Sequence, residues 1–176
     1  MLRQDIGVLD SSNGRFCPDC AILKVPYTQV STFDRLSPAL ALRLDRAVDS
    51  WHGGVNTCGK NFQHVSLPEE LDMTPYIRLT ESRTSTLAAS GGRLLYRIMS
   101  LVEHIGATLR SGHYVAYTRS SFGGDNVEWM RWDDNVITPS SWAAVSLAPA
   151  YLVFYECVDT ALLAALFPVP VAAEIV

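Results

Sequence analysis

Apolar and polar residues alternate over HYVAYTR at 113–119 and through the second half of ALALRLDRAV at 39–48, the period of half-buried strands. LLYRIMSLVEHIG at 94–106 is apolar on both faces as far as Val102 apart from Arg97 and Ser100, which predicts a central strand. VEWMRW follows the hairpin signal SSFGGDN, and AYLVFYE at 150–156 reads as a buried final strand. WHGGVNTCGKN at 51–61 holds three glycines and two asparagines and is expected to be a loop or hairpin tip, with FQHVS returning as a strand. LPEELDMTPY reads as a bend, and ESRTSTLAASGGR at 81–93, small and polar, as a solvent loop. PSSWAAVS offers Ser140 or Ser141 as an N-cap for one short helix. The pattern predicts an α+β fold, mainly an antiparallel twisted sheet whose strands pair across long separations.

Composition narrows the function classes. At 176 residues the chain has the length of one domain, and 48% hydrophobic against 18% charged residues is enough for a packed core. A net charge of −4 with no Lys/Arg cluster excludes a nucleic-acid surface, which needs a basic stripe to displace counterions. The apolar run ALLAALFPVPVAA at 161–173 is too short for a membrane span and contains Pro168 and Pro170. The N-terminus has no apolar signal region, and four irregularly spaced cysteines make no disulfide scaffold, so a reducing, intracellular setting is expected.

The most suggestive pair is His113 and Asp133. His113 opens a strand after the Gly-bounded loop GATLRSG, and Asp133 ends the next strand, so antiparallel pairing brings imidazole and carboxylate to one sheet edge. That is the His–Asp half of a nucleophile triad, in which the carboxylate fixes the tautomer and steadies the imidazolium. The same spacing also fits a surface histidine and a turn aspartate. Asp134 is equally a turn former or a catalytic group, and His104, at the end of the central strand, has the position of a structural histidine. Cys17 and Cys20 form a C-x-x-C on a turn-rich knuckle, half of the four ligands that a closed zinc site needs. Cys58 has loop-like flanks and no helix start to lower its pKa, and Cys157 reads as an inert thiol.

From residue 94 onward, LLYRIMSLVEHIGATLRSGHYVAYTR, WMRWDDNV and AYLVFYE closely resemble, in order and spacing, the histidine box of the ubiquitin-specific proteases. LPEELDMTPY resembles that family's F-P-x-x-L-D-L-x-P-Y segment, PALALRLDRA its L-K-R-F strand, and SNGRFCPDC the second zinc knuckle of its fingers. The resemblance implies a partial papain-like fold lacking the N-terminal thumb. Residues 1–36 would be a remnant of the fingers and a connector, 37–158 the C-terminal part of the catalytic domain, and 159–176 an apolar tail with one helical turn near ALLAAL. It implies hydrolysis of the isopeptide bond after the C-terminal glycine of ubiquitin, with His113 as general base, Asp133 orienting it, and Gly112, Tyr114 and His104 beside the ubiquitin tail. Ubiquitin or ubiquitinated proteins would be the partners, in cytoplasm or nucleus. No cofactor is required for catalysis, and Cys17 and Cys20 would supply half of a structural zinc site.

The departures are specific. The family's nucleophile lies in an upstream box, G-N-T-C-Y-x-N, that has no counterpart before the histidine box here. VNTCGKN at 55–61 imitates it, yet Cys58 falls where the family has a variable loop and is followed by glycine. Three readings remain. The chain is the C-terminal half of a deubiquitinase that depends on an upstream nucleophile, or an inactive ubiquitin-binding module, or a compact protease using Cys58. The first reading also predicts exposed apolar side chains beside His113.

Overall fold

The structure is a computed structural model and describes residues 15–17, 22–25, 31–52, 55–120 and 128–168. In chain order the strands are β1 (Arg15–Cys17), β2 (Ile22–Val25), β3 (Ala39–Arg43), β4 (Ala47–His52), β5 (Val55–Lys60), β6 (Glu70–Asp72), β7 (Leu95–Ile105), β8 (His113–Ser120), β9 (Glu128–Asp133), β10 (Val136–Ser140) and β11 (Ala150–Cys157). The helices are α1 (Glu81–Ala89), α2 (Trp142–Leu147) and α3 (Thr160–Leu166), with a 3-10 turn at Thr74–Tyr76. Seven strands form one sheet in the order β10-β9-β8-β7-β11-β3, with β6 also paired to β7. Every pairing between these strands is antiparallel, an isolated parallel bridge joins Phe33 to Ile77, and β1–β2 and β4–β5 are separate hairpins.

β7 is the long central strand, and its buried positions Leu101, Ile98 and Tyr96 face the same core as Val153 and Tyr155 of β11. Continuing across the sheet, the core face carries Val115 and Tyr117 of β8 and Trp129 of β9. Helices complete that core through Leu87, Val145, Leu162, Leu163 and Leu166. Trp142 of α2 packs its ring 5.6 Å from that of Trp129. Arg46, buried between β3 and β4, donates to the Ala150 carbonyl at 2.6 and 2.9 Å and to that of Gln63 at 2.5 Å. It thereby pins the turn after β3 to the start of β11.

Several expectations need correction. Residues 81–89 form α1, not a solvent loop: Thr80 caps the N–H of Arg83, and Thr84, Ser85 and Thr86 turn their hydroxyls back onto carbonyls four residues earlier. Arg83 locks this helix in place, donating to the carbonyls of Leu166, Arg78 and Asp34, with its guanidinium 4.7 Å from the Phe167 ring. FQHVS forms no strand, because the chain there passes over the buried Arg46 and gives it the Gln63 carbonyl. The 39–48 segment is broken after Arg43 and restarts at Ala47. The segment at 51–61 is mostly strand, within the β4–β5 hairpin. The expected apolar tail contributes α3, whose leucines are core residues, and residues 169–176 lie outside the described ones. The helix at PSSWAAVS forms with Ser141 as its cap. No helix among the described residues is long and apolar enough to cross a membrane.

The core and its rim make opposite predictions. Leu101→Ala removes a side chain with 0% exposure and is expected to cost about 2–5 kcal/mol in urea unfolding. Leu147→Ala, at 71% exposure, is expected to stay within about 0.5 kcal/mol of the parent.

Candidate active site

The site is built by two registers. β7 and β8 pair Ile105 with His113, so the loop from Gly106 to Gly112 must close on itself at once. At its base the backbones are nearly in contact. A Cβ on Gly106 would stand 2.5 Å from the Ser111 carbonyl oxygen, and one on Gly112 would overlap the Ile105 carbonyl oxygen and the His104 ring. Glycine at both positions is a steric requirement. Within the loop the Thr108 hydroxyl accepts from the N–H groups of Arg110 and Ser111. β8 and β9 then pair Ala116 with Trp132. One step further along that register, Asp133 stands across from Val115, so His113 and Asp133 are diagonal neighbours on one face.

His113 Nε2 lies 2.5 Å from Asp133 Oδ1. An ionised carboxylate only accepts, so Nε2 carries a proton, and in the neutral imidazole Nδ1 then keeps its lone pair. The other Asp133 oxygen takes Arg131 Nη2 at 2.8 Å. Hydrogen bonds from His113, foremost, and from Arg131 hold the Asp133 carboxyl below the ordinary carboxylate range. Arg131 stands across from Tyr117 in the register of β8 and β9, and the Tyr117 hydroxyl donates to Glu103 Oε2 at 3.2 Å. Burial, with Glu103 beside it, pushes the Tyr117 phenol up. Glu103, Tyr117, Arg131, Asp133 and His113 thus form one polar diagonal across three strands.

The remaining candidates fall around this pair in different ways. Asp134 opens the turn between β9 and β10 with a left-handed φ of 50°, a conformation aspartate tolerates. Its carboxylate, with His113 and Asp133, gives the one group of metal-competent side chains among the described residues, their ligand atoms within 4.8 Å of one another. Both Asp133 oxygens are already taken by His113 and Arg131. Tyr114 is exposed and lies 4.8 Å, ring to ring, from His104, which is buried. A pocket of about 300 Å3 opens beside them, between Arg43, Ala47, Leu109 and Tyr151. A larger cavity of about 580 Å3, lined by Leu42, Gln63 and Leu71, is not lined by His113 or Asp133. Ile105, which pairs with His113, is 43% exposed, and Val136, which pairs with Asp133, is 59% exposed. Apolar side chains are therefore exposed beside the pair.

Cys58 lies within strand β5, paired to Asp49, and not at a helix start. Cys17 ends β1, and Cys20 lies outside the described residues. Cys157 is buried and free, and burial raises its thiol pKa. Sequence reading passed over Arg131, Tyr117 and Glu103. Arg131 was detectable in principle, standing two residues before Asp133 on a strand and hence on the same face. Lys60 was missed as well: its ammonium donates to the carbonyls of His104 and Gly106 at 2.7 and 2.8 Å and lies 3.1 Å from His104 Nδ1.

A family model described as ubiquitin carboxyl-terminal hydrolase matches residues 6–155. Ubiquitin carboxyl-terminal hydrolase 21 of Arabidopsis thaliana is 33% identical over 140 residues, covering 79% of this chain and 17% of that protein. Ubiquitin carboxyl-terminal hydrolase 17-like protein 11 of Homo sapiens is 31% identical over 147 residues, covering 84% of this chain and 24% of that protein. The chain thus spans about a fifth of the length of these relatives. Among solved structures, the SAGA Ubp8/Sgf11/Sus1/Sgf73 DUB module bound to ubiquitin aldehyde is similar, with a TM-score of 0.65, 24% identity, and coverage of 84% of this chain and 30% of that one.

Two outcomes follow from the geometry. Gly112→Ala is expected to destabilise the chain by about 1–3 kcal/mol in urea unfolding, since a backbone oxygen must move to admit the methyl group. A carboxyl with a lowered folded pKa adds stability above its unfolded pKa and loses it as the pH falls through the folded value. Asp133→Asn is therefore expected to unfold at lower urea than the parent at neutral pH. The gap should close below about pH 4, which paired denaturation curves will measure.

Proposed function

The chain belongs to the ubiquitin carboxyl-terminal hydrolase family, and on that premise we propose that residues 37–158 are the base-bearing part of a cysteine deubiquitinase. The observation that carries this reading is the His113–Asp133 pair, with Nε2 committed to an ionised carboxylate and Nδ1 left as a lone pair. Nδ1 is the general base toward a cysteine thiol. The thiolate attacks the carbonyl carbon of ubiquitin's last glycine, and the imidazolium returns its proton to the departing lysine amine. Water then hydrolyses the thioester, with His113 again removing the proton. Asp133 stabilises the imidazolium through each half-cycle, and Arg131 keeps Asp133 ionised and aimed. No cofactor enters these steps.

The nucleophile in this reading comes from sequence outside the described residues. Ile105 and Val136, exposed on either side of the pair, support a site completed by another apolar element. The exposed ring of Tyr114, on the rim of the pocket of about 300 Å3, supports a track for a diglycine-ended tail. Cys17 and Cys20 are half of a structural zinc knuckle, and the setting is cytoplasm or nucleus.

Ubiquitin carrying a C-terminal thiol-reactive electrophile tests the assignment by intact mass. The chain alone is expected to form no adduct, and an adduct on Cys58 would overturn the reading in favour of a compact protease. Joined downstream of a family member's region that carries the G-N-T-C-Y-x-N box, the chain is expected to hydrolyse a ubiquitin conjugate. His113→Ala should then slow that hydrolysis by roughly 10²–10⁴-fold. An unchanged rate removes His113 from the mechanism.

A further inference from the structure

The Lys60 ammonium has three protons, and three acceptors surround it: the His104 carbonyl at 2.7 Å, the Gly106 carbonyl at 2.8 Å and His104 Nδ1 at 3.1 Å. These acceptors flank Ile105, the residue that pairs with His113. Lys60 itself belongs to the β4–β5 hairpin, which is outside the main sheet. An ammonium cannot accept, so His104 Nδ1 must be the acceptor, and a neutral His104 then carries its proton on Nε2. The Nε2 side of that ring packs against Gly112, so closely that a Cβ there would overlap it. Gly112 precedes His113 directly.

We propose that Lys60 is a positioning residue for His113. It holds both ends of the 106–112 loop, one through two carbonyls and the other through the His104 ring, and so fixes where the strand bearing the imidazole begins. The inference rests on reading His113 as the general base, and it deepens that reading by naming what holds the base in register. His104 is then a relay between Lys60 and Gly112. Its buried place, the tilted ring of Tyr114 packed against it, and the bond to Lys60 all suit that role. Phe62, with its ring centroid 5.2 Å from Nζ, covers the ammonium on another side.

Long-range proton–nitrogen correlation spectra of the full chain, labelled with 15N-histidine and assigned by single substitutions, test the proposal without substrate. Wild-type His104 is expected to show a single neutral tautomer protonated at Nε2, and His113 an Nε2 proton held by Asp133. In Lys60→Met the His104 pattern should become a tautomer mixture, and the His113 nitrogens should shift with loss of the protected Nε2 proton. Lys60→Arg keeps the charge but spreads its donors in a planar fork, so it should retain the fold and still shift His113. His113 signals that overlay the wild type in either folded variant overturn the proposal. So does a wild-type His104 protonated at Nδ1, an outcome that stands even where Lys60→Met does not fold. Because these spectra need no nucleophile, an inactive chimera would refute the deubiquitinase reading and leave this result unchanged.

Discussion

A one-residue slip of β8 against β7 would turn His113, Val115 and Tyr117 away from the core face and bring Tyr114, Ala116 and Thr118 onto it. The buried side chains forbid that slip. Val115 is 1% exposed and packs in the same core as Leu101 and Trp129, so the register that fills the core is also the register that aims the imidazole. At the other end, the loop has no slack to absorb a shift, because the backbones at Gly106 and Gly112 already touch. Core packing and site geometry are thus one constraint.

The pair so placed is only partly removed from water, with the His113 side chain 42% exposed and that of Asp133 31% exposed. In that setting the attraction between imidazolium and carboxylate is well screened. It strengthens when water is excluded, because the effective dielectric falls. The exposed Ile105 and Val136 beside the pair are suited to being covered together with it. Arg131 matters more in that covered state, since a desolvated Asp133 would otherwise tend to take up a proton.

The parts of the fold that were legible in the sequence are those where burial alternates. HYVAYTR, VEWMRW and AYLVFYE all read correctly, because one face of each strand lies on the core. Helix α1 was illegible because its helical state rests on distant partners. Its serines and threonines have loop-like composition, and the helix is fastened by Arg83 to the end of α3. FQHVS failed in the opposite sense. It was read as a strand returning from the hairpin, but its backbone is recruited by Arg46, whose own partner is the start of β11. The His113–Asp133 pair was visible as strand ends across a hairpin. The network behind Asp133 was not, since joining Glu103 to Tyr117 and Tyr117 to Arg131 requires the registers of two strand pairs at once.

The segment VNTCGKN shows how far likeness of letters can diverge from likeness of physics. A nucleophilic cysteine box draws its reactivity from a helix start, where free N–H groups and the helix dipole favour a thiolate. Here the same letters run along a strand paired to β4, so no helix start stands at Cys58. The residue in this stretch with a visible tie to the site is Lys60, whose cationic donors meet the carbonyls on either side of Ile105. A strand is the right element for that work. It is stiff, and it delivers one long side chain to a fixed point, where a helix start would deliver a field. The segment's contribution is therefore read from the acceptors it reaches, His104 near the end of β7 and Gly106 at the start of the loop that leads to His113.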